Sequence, residues 1–96
     1  MANLTLPTIH FNGTSREALL EEYQTAWSAV QQALEAVIAA APNDRDYYVQ
    51  GPEACTRAQA EHRERLAKIE SVMTELHQIL MHVFDQAPDA RLRGVR

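Results

Sequence analysis

The chain is short of most things that would make its chemistry obvious. Its 96 residues include one cysteine, three glycines, four prolines and 6% aromatic residues. The single cysteine, Cys55, excludes an intramolecular disulfide and a cysteine-only metal cluster. No Walker, dinucleotide-binding or GxSxG pattern is present, and the lone Gly13 and Gly51 do not suggest one. No apolar run approaches the ~20 residues needed to cross a bilayer. The opening Met1-Ala2-Asn3-Leu4 lacks the basic head and long apolar core of a secretory signal. Cations are scarce too: nine Lys and Arg face thirteen Asp and Glu, a net charge of −4, so nucleic acid is not the expected partner.

What is there is 46% hydrophobic and 23% charged, too apolar for a disordered chain. The expectation is a small, acidic, soluble, cytoplasmic protein of the all-α class.

Residues 1–13 have no helical period. Leu4, Leu6, Ile9 and Phe11 are spaced as an extended N-terminal arm, and Pro7 forbids a helix through its middle. Thr14-Ser15-Arg16-Glu17 places a hydroxyl three residues before a glutamate, the pattern of a capping box. A first helix is expected over about 15–41. Its seam, Leu20, Tyr23, Trp27, Val30, Leu34, Val37 and Ala41, follows alternating steps of three and four, and Leu19, Ala26, Ala33 and Ile38 widen it. Pro42 stops it. The connection, 42–51, is rich in turn formers. Pro52 and Glu53 suit the start of a second helix, expected over 52–85, with Ala58, His62, Leu66, Ile69, Met73, Leu76, Leu80 and Val83 as its buried stripe. Residues 86–96 read as a flexible basic tail carrying Arg91, Arg93 and Arg96.

Two long helices with a ten-residue link fold back as an antiparallel hairpin. The first helix is apolar at two adjacent registers, and one partner would leave part of that face wet. The hairpin is therefore expected to self-associate, most simply as a dimer forming a four-helix bundle or as a larger ring; the bland alternative is a monomer whose N-terminal arm covers the seam.

The residues do not spell an active site. His62, His77 and His82 lack the i, i+3 or i, i+4 spacing that puts two metal ligands on one helix face, so no metal or other cofactor is expected. Carboxylates are plentiful, but a solvated helix face accounts for them. The chain is not expected to be an enzyme.

Two polar segments ask for more than a structural explanation. His10, Asn12, Thr14 and Ser15 lead into a helix N-terminus, where free N–H groups and hydroxyls can seat an anion. Arg45, Tyr47 and Tyr48 lie in the connection; arginine grips phosphate and tyrosines stack on bases. These two segments fall at opposite ends of a hairpin and can form one nucleotide-like ligand site only where two copies meet. The bland alternatives are a cap and a packed loop in which Arg45 pairs with Asp44 or Asp46.

Asn12-Gly13-Thr14-Ser15, Arg45-Asp46-Tyr47-Tyr48 and Gln50-Gly51-Pro52 together resemble a family of small uncharacterised proteins encoded by phages and prophages, over residues 9–84. The usual form of that pattern reads Asn-Gly-Arg-Asp-Tyr-Tyr; Asp44 stands here in place of its glycine. The resemblance implies a phage or prophage setting, in an infected or lysogenic bacterial host, and no particular activity. In that setting two functions are expected: an anti-defence sponge that sequesters an immune-signalling nucleotide, or an acidic protein-interaction module such as an anti-restriction, anti-CRISPR or assembly factor.

Overall fold

The computed structural model describes residues 4–86 and is an all-α helical hairpin. Helix α1 spans Arg16–Ala39 and α2 spans Ala54–Asp85. At 1.5 Å per residue they are about 36 and 48 Å long. The hairpin is elongated, 72 × 25 × 17 Å, with a radius of gyration of 20.1 Å against about 13 Å for a compact domain of 100 residues.

The start of α1 corrects the expected cap. Ser15, not Thr14, is the N-cap: its backbone is extended (φ −64°, ψ 155°) and its Oγ accepts the Ala18 N–H at 3.1 Å. Glu17 then falls one residue short of the position from which it could reach back, so the reciprocal half of a capping box is missing. At the other end the Ala40 and Ala41 N–H groups bond to Val37 and Ile38 at 3.0 and 3.2 Å. This tightening to i→i+3 bonds ends α1 at Ala39, two residues before the expected limit, as the chain prepares for Pro42.

The connection is more ordered than a plain loop. It contains two short 3-10 turns, Asp44–Asp46 and Tyr48–Gln50. The first is capped by Asn43, whose Oδ1 accepts the Arg45 N–H at 3.1 Å. Gly51 sits at φ 121°, a conformation open to glycine and strained for other residues. Pro52 and Glu53 form a turn rather than the first helical residues, so α2 begins at Ala54, not at 52.

The seam is the half-buried stripe expected from the spacing. On α2, Ala58, His62 and Val83 are buried, and Leu66, Ile69, Met73, Leu76 and Leu80 are half-buried. On α1, Leu20, Tyr23, Trp27, Val30, Leu34 and Val37 are half-buried, and no residue of the helix is fully buried. Ala33, Ile38 and Ala41 are exposed.

Full burial is confined to the two ends of the hairpin. Beside the connection lie Ala54, Cys55, Ala58 and His62. His62 is 6% exposed, and its Nε2 has no hydrogen-bond partner among the described residues. At the opposite end Ile9 of the arm and Val83 are buried. The arm is fixed there by α2. Pro7 C=O accepts hydrogen bonds from His82 Nε2 at 2.9 Å and Gln86 Nε2 at 3.1 Å, while Gln86 Oε1 accepts the Ile9 N–H at 2.7 Å. Gln86, expected as the first residue of a flexible basic tail, is instead held by these bonds; the rest of that tail, with Arg91, Arg93 and Arg96, lies outside the described residues.

Candidate ligand-binding segments at the two ends of the hairpin

The first candidate segment wraps the start of α1. A turn closes it: the Gly13 N–H donates to His10 C=O at 3.1 Å. The His10 ring rests against Gly13, and a Cβ at that position would lie 2.7 Å from its Nε2. A side chain at position 13 would therefore displace the exposed His10 ring, and the backbone angle imposes no need for glycine there. His10, Asn12 and Thr14 are exposed, as is the intervening Phe11. Ser15 is spent on the helix cap, so its hydroxyl is not free to hold a ligand. The N–H groups of the first helical positions have no partner inside the helix, and Thr14 stands beside them.

Charge around this helix start is not arranged for an anion by one chain alone. Arg16 turns away. Its Nη2 donates to Phe84 C=O at 2.9 Å, and Cζ lies 5.3 Å from the centroid of the Phe84 ring. The guanidinium thereby serves the carbonyl-rich end of α2, where a cation is favoured. Its Nη1 is a loose 3.9 Å from Glu17. Glu17 occupies the first turn of α1 and already complements the helix dipole. An anion bound there needs a cation from elsewhere.

The second segment carries an exposed cation. Arg45 is exposed, and among the described residues its side chain pairs with neither Asp44 nor Asp46. Tyr47 is half-buried; Tyr48 and Val49 are 64% and 77% exposed. The turn Tyr48–Gln50 packs on α2, which fixes the backbone from which these side chains project.

Within one hairpin the two segments stay apart. Thr14 and Ser15 lie at one end of α1 and Arg45, Tyr47 and Tyr48 beyond the other, with about 36 Å of helix between. Two open grooves lie elsewhere. One, along the outer surface of α1, is bordered by Gln24, Ser28 and Gln32; the other, between the helices, by Leu34, Glu70, Met73 and Thr74. Neither is lined by any of the seven candidate residues.

The residues that sequence reasoning missed are Arg16, which ties the start of α1 to the end of α2, and His82 and Gln86, which hold the arm. Their partners are backbone carbonyls and an N–H some 68 to 79 positions away, and no local pattern announces such contacts.

Among the described residues, no group of three His, Cys, Asp or Glu side chains is placed to hold a metal ion. No described helix is long and apolar enough to cross a membrane. No protein-family model matches the chain, and no curated protein or solved structure shows detectable similarity to it.

Proposed function

We propose that the chain is a non-enzymatic, self-associating helical module that captures a small nucleotide-like ligand where copies meet. Thr14 and the first N–H groups of α1 in one copy, with Arg45 of another, hold phosphate. Tyr47 and Tyr48 stack on a base, and His10 and Asn12 add polar contacts. One observation carries this reading. The helix start offers anion-binding N–H groups without a cation, and the connection offers an exposed arginine beside an exposed tyrosine 36 Å or so away. Each half lacks what the other has. In the phage or prophage setting implied by the sequence resemblance, such a module sequesters a signalling nucleotide.

Native mass spectrometry of the protein as purified tests subunit number and retained ligand together. Calorimetry against cyclic and ADP-ribose nucleotides should give heat with the parent protein and none with an Arg45→Ala, Tyr47→Ala variant of unchanged helicity. Absence of heat with the parent across that panel removes the nucleotide reading.

A protein-interaction module is the second reading. Phe11, Tyr48, Val49 and Phe84, all more than half exposed, would serve as apolar anchors within an acidic surface. Salt-sensitive capture of a host protein, with no small molecule retained, favours it.

A further inference from the structure

Beside the seam, each helix carries a second stripe with the same three-four spacing, one residue earlier at every step. On α1 it is Ala26, Ala29, Ala33, Ala36 and Ala40; on α2 it is Arg65, Lys68, Val72, Glu75 and Ile79. One residue is 100° of helix rotation. In an antiparallel pair the same offset on both helices points to the same side of the hairpin, so the two stripes share one long face. Ala29, Ala33, Ala36 and Ala40 are exposed, and Val72, halfway along α2, is 46% exposed. The other side of α1 carries Gln24, Ser28, Gln31 and Glu35 instead.

We propose that this face is covered by a second copy of the chain, lying antiparallel about a twofold axis near Ala33 and Val72. The proposal rests on the reading of the chain as self-associating and names the surface. Three features select this occupant. Leu34 and Met73 border one groove, so Ala33 and Val72 stand at the same height within a turn, and one axis can pass both. One charge pair is self-complementary about that axis: Lys68 precedes Val72 by about the distance at which Glu75 follows it, so each Lys68 meets the other copy's Glu75, while Arg65 falls opposite the other copy's Ile79. The alanines let α1 and its copy approach closely without leaving a large side chain in water. A face two helices wide and as long as α1 covers roughly 700 Å² per copy, about 1,400 Å² in all, within the range of stable interfaces.

The same axis bears on the ligand site. Ser15 precedes Ala33 by eighteen residues, and Ala54 precedes Val72 by eighteen, each about 27 Å along its helix. The second copy's helix start is thereby brought to the height at which the connection carrying Arg45 and Tyr48 ends.

Sedimentation equilibrium on three variants tests this surface. Ala33→Arg sets two like charges against each other at the axis and should weaken dimerisation at least about a hundredfold with unchanged helical circular dichroism. Ser28→Arg, on the other side of α1, should dimerise like the parent. Lys68→Glu should weaken the dimer, and adding Glu75→Lys should restore it. Normal dimerisation of Ala33→Arg overturns this face but leaves self-association standing; a parent that stays monomeric at high micromolar concentration overturns both. Nucleotide calorimetry on the parent reports separately on the ligand.

Discussion

Ile9 donates its backbone N–H to the side-chain oxygen of Gln86 at 2.7 Å, across 77 residues of sequence. The same side-chain amide donates to Pro7 C=O at 3.1 Å, so one glutamine pairs with the acceptor and the donor on one edge of an extended segment, as a residue of a neighbouring strand would. Gln86 is the cap that ends α2. The arm thus closes over Val83 without any sheet to pair with.

Replacing Gln86 with Ala removes both bonds and leaves His82 as the remaining tie to Pro7. At about 0.5–1.5 kcal/mol per bond, the loss should be about 1–3 kcal/mol by urea titration. Exchange of the Ile9 amide should accelerate far more than that of amides in the middle of α1. Unchanged Ile9 protection would show that the arm is held by burial alone.

The capping hydroxyl is Ser15, and its neighbour should be replaceable. Ser15→Ala is expected to cost about 1 kcal/mol, whereas Thr14→Ala should stay within about 0.5 kcal/mol of the parent in the same thermal melts. Equal effects at the two positions would restore the capping box that the sequence suggests.

Two glycines separate two reasons for being glycine. Gly51 lies at φ 121° with open space where a Cβ would go, so Gly51→Ala adds backbone strain and should destabilise by about 1–3 kcal/mol. Gly13→Ala meets the exposed His10 ring, which can swing aside, and Gly13→Ala with His10→Ala should be close to neutral (about 0.5 kcal/mol or less).

His62 offers a substitution that should raise stability. Its buried Nε2 has no partner among the described residues, and an apolar side chain of similar size removes that cost. His62→Leu is expected to be neutral or stabilising by about 1 kcal/mol, while His62→Ala, which leaves a cavity, should lose about 2–4 kcal/mol. A large loss with leucine would mean that the imidazole has a partner in solution.

Arg16 joins the two helix ends by a carbonyl bond and a stack on Phe84. Arg16→Lys keeps the charge but loses the planar fork, and should forfeit roughly half of the ~1–2 kcal/mol that Arg16→Ala removes, read as melting temperature.

The helices and their seam were legible because burial along a rod repeats every three or four residues, and that repeat is written in Leu20 through Val37 and in Ala58 through Val83. The alternating step alone predicts which side of each rod meets the other. Their ends were less legible. Ser15 and Thr14 carry the same hydroxyl, and which one caps depends on the angle at which the chain arrives, set by the His10–Gly13 turn. Pro52 is compatible with a first helical residue, but the conformation taken up at Gly51 delays the helix to Ala54.

The candidate ligand residues were nameable from their chemistry, yet their engagement was not. Sequence determined that an anion-seating helix start and an aromatic, arginine-bearing connection exist, because residue type and helix ends are local properties. The bond that occupies Ser15 is local too, spanning three residues. Tertiary structure alone decided that Arg16 serves Phe84 and that Arg45 faces solvent. It also decided that Gln86 and His82 hold the arm, since their partners are backbone groups brought near only when a 36 Å rod and a 48 Å rod fold back on each other.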